Sequence, residues 1–207
     1  EVNGMEKIQF KSKDLQKMVT GNLMTKHDEI TEKDLLGIKQ LTLNGCNLAG
    51  QKTDINLEDL KYFKSLEVLI LSKVDVFEKD IEYINKLEML KMIQSTDCKF
   101  TLTDSKVSLN LEKIVIEGQD LGILESIEKK TRVKSIRIRQ NQNVDMQKIT
   151  EFSSLQQLYI QNSRIMSEDK ILDLQMLELL NLDGSKMENE DVIKKIKENI
   201  RVEFRRV

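Results

Sequence analysis

The chain is expected to fold as an α/β solenoid, with a curved parallel sheet on its concave side, short helices on its convex side and a helical cap at the N-terminal end. Three observations carry this expectation. First, Leu66-Glu-Val-Leu69-Ile-Leu71 reads L-x-x-L-x-L, and the pattern returns as Leu87-Glu-Met-Leu90-Lys-Met92, Leu111-Glu-Lys-Ile114-Val-Ile116, Val133-Lys-Ser-Ile136-Arg-Ile138, Leu155-Gln-Gln-Leu158-Tyr-Ile160 and Leu177-Glu-Leu-Leu180-Asn-Leu182. Second, the fourth positions of these copies follow one another at 21, 24, 22, 22 and 22 residues. Third, most of the intervening stretches carry apolar residues at helical spacing. A short repeat with this internal pattern is the signature of a leucine-rich repeat solenoid.

Composition narrows the class. The 207 residues are 39% hydrophobic, enough to bury a core, and a solenoid of this length can run as one domain. The 33 basic and 35 acidic residues leave a formal charge of −2, which argues against a bulk electrostatic footprint for nucleic acid or an anionic membrane. Cys46 and Cys98 are the only cysteines and form no C-x-x-C, so two free thiols are expected rather than a disulfide framework. No apolar run approaches the ~20 residues of a membrane span. Proline is absent and no Gly/Ser-rich linker interrupts the chain. The chain begins at Glu1, with neither an initiator Met nor a signal segment, and reads as a trimmed piece of a longer protein.

In order along the chain, Met5-Glu-Lys-Ile8-Gln-Phe10 alternates apolar and polar residues and predicts a first strand. Leu15, Met18, Val19 and Leu23 share one face of a helix opening near Asp14. Thr31 is placed to cap a short helix carrying Leu35, Leu36 and Ile38, with Asp34 where a capping box normally has Glu or Gln. Leu41-Thr-Leu43 is the next strand. The polar stretch from Ala49 to Asn56 reads as an enlarged loop. Leu57, Leu60 and Phe63, then Ile81, Ile84 and Leu87, predict convex-side helices. The unit containing Phe100 and Val107 alternates instead and predicts an extended or irregular convex side. Ile171, Leu174 and Leu177, then Val192, Ile193 and Ile196, return to helical spacing, and Ile200-Arg-Val202-Glu-Phe204 is a last strand. Residues 1–40 are therefore expected to form the N-terminal strand and helical cap, and residues 41–207 one continuous set of repeats.

The run from Phe10 through Leu15, Met18 and Leu23, then Glu29-Ile30-Thr31-x2-Asp34-Leu35-x2-Ile38-x2-Leu41-x-Leu43, resembles the helical cap and first repeat of bacterial internalin-type leucine-rich repeat proteins. The resemblance extends over nearly the whole chain. It implies a bacterial surface or secreted protein that binds another protein. The chain departs from the regular repeat in its turns, where asparagine is usual three residues after the last strand leucine. Here those positions hold Cys46, Val74, Ser95, Gln119, Asn141, Ser163 and Ser185, which predicts an irregular, wetter turn stack.

Side chains alternate along a strand, so the residues flanking the last two leucines of each copy are expected on the concave face. Among them, Val68, Ile70, Met89, Ile93 and Val115 predict one contiguous apolar area. Such areas mark protein contacts. Arg137, Arg139 and Tyr159 flank it and belong to residue types enriched in binding hot spots. With Lys91, Gln161, Leu179 and Asn181 they make up the expected binding face for a protein or peptide. Other residues carry little chemistry. His27 is the sole histidine and lies in the polar part of the cap; Cys46 reads as a turn residue; Asp54, Glu58 and Asp59 read as a solvated helix start. No nucleophile–base pair, metal cluster or phosphate loop appears, so no enzyme, cofactor or metal is expected. A non-catalytic, monomeric interaction module at the cell surface or outside the cell is the first reading. An intracellular regulatory scaffold in the cytoplasm is the alternative, and a carbohydrate surface using Tyr159 is a lesser variant.

Overall fold

The computed structural model describes residues 6–23 and 29–206. In chain order, α1 (Lys13–Leu23) and α2 (Glu32–Leu35) precede β1 (Gln40–Asn44). A 3-10 helix, Leu57–Tyr62, leads to β2 (Val68–Ser72), β3 (Asp75–Phe77), α3 (Glu78–Asn85), β4 (Met92–Thr96) and β5 (Lys99–Thr101). Then come β6 (Lys113–Glu117), α4 (Gly122–Ser126), β7 (Ser135–Arg139), β8 (Val144–Asp145), β9 (Gln157–Gln161) and β10 (Ile165–Met166). The 3-10 helix Glu168–Asp173, β11 (Leu179–Asn181), α5 (Asp191–Lys194) and β12 (Arg201–Glu203) complete the chain.

One sheet organises these elements. Its order is β1-β2-β4-β6-β7-β9-β11-β12, with every neighbouring pair parallel. This is a leucine-rich repeat solenoid. The inward positions of successive strands, Leu41/Leu43, Leu69/Leu71, Ile114/Ile116, Ile136/Ile138, Leu158/Ile160 and Leu180/Leu182, are all at most 3% exposed. Each such side chain stabilises the stack by roughly 1.5–3 kcal/mol. The convex elements are short: 3-10 segments, α-helices of at most eight residues, and two small parallel pairs, β3 with β5 and β8 with β10. The unit after β5 is extended, as its alternation implies.

One copy of the repeat sits three residues later than its sequence suggests. Val68 pairs with Met92, Leu69 with Ile93 and Leu71 with Ser95. The strand copy is thus Leu90-Lys-Met-Ile93-Gln-Ser95, not Leu87-Glu-Met-Leu90-Lys-Met92. Leu87 instead closes the turn after α3, its N–H donating to Ile84 O at 3.0 Å, while Leu90 N–H donates to Leu87 O at 2.9 Å. Phe63 and Leu66 play the same parts one unit earlier, with Leu66 N–H to Phe63 O at 3.1 Å. Serine at the last inward position, 2% exposed, hides this frame from a search for leucines. A shift of three is odd, so it exchanges the faces. Ile93 is core at 1% exposure, and Met89 and Lys91 precede the strand.

The N-terminal segment also differs. Glu6–Phe10 forms no strand; a single bridge joins Lys7 to Thr31, with Ile8 N–H on Ile30 O, and Met5 lies outside the described residues. Leu15 and Val19 of α1 are fully buried, and Asp34 accepts hydrogen bonds from the Thr31 N–H and hydroxyl, both at 2.8 Å. Asp59 is 1% exposed rather than solvated, and its carboxylate takes the N–H groups of Lys11 and Ser12 at 2.9 and 2.8 Å. Asp54 accepts from Lys13 N–H at 3.1 Å, and Glu58 pairs with Lys11 and Lys61. The acidic cluster therefore ties the N-terminal segment to the first repeats. Tyr62 is half-buried with its ring edge-on to Phe10 at 5.8 Å.

Strands β2, β4, β6, β7, β9 and β11 leave through tight turns. Lys73, Asp97, Gln140 and Asn162 follow their strands with φ near +50°, and Gly118 and Gly184 occupy the same place with φ +117° and +72°. Beyond them runs a buried ladder. Asn141 Nδ2 donates to Gly118 O at 2.8 Å, Asn141 N–H to Ser163 Oγ at 3.1 Å and Ser163 N–H to Ser185 Oγ at 3.2 Å. In the shifted unit the turn position is Cys98, whose thiol reaches Leu71 O at 3.3 Å. Asn141, Ser163, Ser185 and Cys98 are at most 8% exposed, whereas Gln119 is exposed and Cys46 half-buried, so the stack is irregular in composition and buried only in part.

Candidate concave binding surface

The register places three rows of side chains across the sheet. The outer rows are Gln40, Val68, Met92, Lys113, Ser135, Gln157, Leu179 and Arg201 on one side, and Asn44, Ser72, Thr96, Glu117, Arg139 and Gln161 on the other. Between them run Thr42, Ile70, Gln94, Val115, Arg137, Tyr159, Asn181 and Glu203. Strand spacing makes each step along a row about 4.8 Å.

Of the residues expected on this face, Val68, Ile70, Val115, Arg137, Arg139, Tyr159, Gln161, Leu179 and Asn181 lie on it; Met89, Lys91 and Ile93 do not. Met92, Gln94 and Thr96 take their place. The apolar area is accordingly smaller than expected. Val68, Ile70 and Met92 are half-buried neighbours, and Val115 stands two strands from Ile70, with Gln94 between. Leu87 as the i+3 partner of Ile84 at the end of a helical run was the sequence signal that would have set the frame.

Next to this area the Arg137 guanidinium lies over the Tyr159 ring, 4.4 Å from its centroid. Val115 and Tyr159 are its row neighbours, so no carboxylate stands beside it in the row. Its Nε is buried without a hydrogen-bond partner, as is the Oγ of Ser135 two residues earlier on the same face. Farther along, Asn181 is 5% exposed and fully engaged: it accepts from Gln161 Nε2 at 3.0 Å and donates to Glu203 at 2.6 Å and Asp183 at 3.3 Å. Gln161 and Asn181 thus brace the far end of the sheet rather than offering free polar groups.

Among the described residues no group of three or more His, Cys, Asp or Glu side chains is placed to hold a metal. His27 and Asp28 lie outside the described residues. Both cysteines are free, and burial raises the Cys98 thiol pKa, which keeps it protonated. Hydrogen bonds from Ser105, Thr103 and Asp104 hold the Glu78 carboxyl down to about 2, a clamp on the extended loop of the next unit. Lys11 and then Lys61 hold Glu58 below the ordinary carboxylate value through their hydrogen bonds.

No protein-family model matches the chain, and no curated protein matches it in sequence. Solved structures do. An internalin C2 from Listeria monocytogenes superposes with a TM-score of 0.60 at 17% identity, covering 95% of this chain and 94% of that one. An internalin F from the same organism gives a TM-score of 0.51 at 12% identity, over 95% of this chain and 77% of the other. At such identities the likeness is one of fold, and that fold is the leucine-rich repeat solenoid of the internalins.

Proposed function

We propose that this chain is a non-catalytic binding module that holds an extended segment of a partner protein on its concave sheet. The observation that carries the reading is the placement, on one parallel sheet, of half-exposed Val68, Ile70 and Met92 with the Arg137–Tyr159 pair a few strands along. Apolar area beside an aromatic and an arginine is the composition of a binding hot spot. The internalin likeness supports a bacterial surface or secreted setting, with the residues up to 40 serving as the cap of a monomeric solenoid. Among the described residues no helix is long and apolar enough to cross a membrane. The test is affinity capture from host-cell extracts, bacterial extracts and extracellular matrix with wild type, Ile70→Asp and Tyr159→Ala. A protein retained by wild type and lost by both variants, with thermal unfolding unchanged, is the expected outcome. Equal retention by all three refutes the concave face as the site.

A further inference from the structure

Arg201 at the far end of this face pairs with Glu203, but three cations nearer its middle are unpaired among the described residues. In the block of nine side chains centred on Arg137, drawn from β6, β7 and β9, the charges are Lys113, Arg137 and Arg139 against Glu117 alone. Among the described residues none of these three cations takes part in an ion pair or accepts a carboxylate partner, although the chain as a whole is net negative. Arg137 is the most constrained. Tyr159 packs against its guanidinium, and its Nε and the nearby Ser135 Oγ are buried with no acceptor. A guanidinium with no carboxylate partner in the free protein is stabilised when a ligand brings one. A guanidinium packed on an aromatic ring is suited to a planar, two-oxygen acceptor.

Resting on the concave-face reading above, we propose that the Arg137 block is a carboxylate-recognition subsite, and that the partner segment carries an Asp or Glu side chain to it. The geometry also sets the spacing of a second determinant. Ile70 stands three strand steps from Arg137 along the middle row, through Gln94 and Val115, which is about 14 Å. An extended peptide crossing the strands covers about 3.3 Å per residue and returns its side chains to the same side every second residue. Four residues therefore span the gap. The partner motif is an apolar residue, three others, then an acidic residue: apolar side chain on Val68, Ile70 and Met92, carboxylate on Arg137.

The test uses randomised, fluorescently labelled peptide pools with Leu-x-x-x-Glu fixed, beside Leu-x-x-x-Gln and Ser-x-x-x-Glu pools. Fluorescence anisotropy is followed with wild type, Arg137→Gln, Arg137→Lys and Ile70→Ser. Wild type is expected to bind the Leu/Glu pool about tenfold or more tighter than either other pool. Arg137→Gln should bind the Glu and Gln pools alike, and Arg137→Lys should recover only part of the preference. Equal binding of the Glu and Gln pools by wild type, with loss in Ile70→Ser, overturns the carboxylate subsite and leaves the concave reading standing. Binding that neither Arg137→Gln nor Ile70→Ser alters overturns both. Absence of binding to every pool, or displacement of the Leu/Glu pool by oligo-dT at equal concentration, overturns the acidic-peptide assignment. The comparison of pools on wild type alone keeps the test decisive if a variant fails to fold.

Discussion

Single polar side chains do much of the work of joining one repeat to the next. Asp59 is the clearest case: its two carboxylate oxygens take the N–H groups of Lys11 and Ser12 from across 48 and 47 residues of chain. Asp59→Ala leaves both donors unpaired and should cost roughly 2–3 kcal/mol in urea unfolding, with the N-terminal segment losing amide protection first. Glu78 makes a similar clamp at the surface, and its behaviour depends on pH. Its folded pKa of about 2 lies below the ordinary 4.5. Its contribution is therefore complete above that ordinary value and disappears as pH falls from there toward about 2. Glu78→Gln should lower the melting temperature at pH 7, and the gap from wild type should close on acidification; a gap that stays constant refutes the clamp. Gly45 is required for space: a Cβ there would lie 1.8 Å from Lys73 O. Gly45→Ala should cost about 1–3 kcal/mol by forcing the β1 and β2 exits apart.

At the scale of the element, what was legible in the sequence depended on whether apolar side chains alone set the frame. The copies beginning at Leu66, Leu111, Val133, Leu155 and Leu177 fall where their leucines and isoleucines put them, because each inward position is filled by a large aliphatic group. The copy near Leu90 failed because its final inward position is Ser95, while the preceding helix exit supplies two leucines at the right spacing to imitate a strand. The same blindness hid Asp59 and Glu78, whose partners are backbone N–H groups that no side-chain pattern marks, while Asp34 stood out because its spacing from Thr31 is that of a capping box. The left-handed turns were hidden too, since glycine occupies only the positions at 118 and 184 while Lys73, Asp97, Gln140 and Asn162 carry the same conformation. The turn ladder yields a check of its own. Ser163 accepts from Asn141 N–H and donates to Gln161 O, and Ser185 accepts from Ser163 N–H. Ser163→Ala and Ser185→Ala should each destabilise by about 1 kcal/mol and should not add in the double variant, as measured by a denaturant double-mutant cycle.

For the whole molecule, fold and surface draw on different residues. The inward aliphatic rows specify the stack, and most of the outward positions, apart from braces such as Gln161 and Asn181, carry chemistry that the stack does not need. Units of 24, 21 and 22 residues separate Leu69, Ile93, Ile114 and Ile136, yet their strands pair in one continuous register. All the difference in length is absorbed between strands. The sheet is consequently a lattice of constant pitch whose columns can be removed whole. Excising residues 133–154 takes out one 22-residue column and brings Val115 beside Tyr159. The shortened protein should still fold, with the far-ultraviolet spectrum of the parent, while any preference for acidic peptides vanishes with the column that carried Arg137. In such a molecule a change of ligand is a matter of editing columns, and the distance between two determinants is counted in whole repeats.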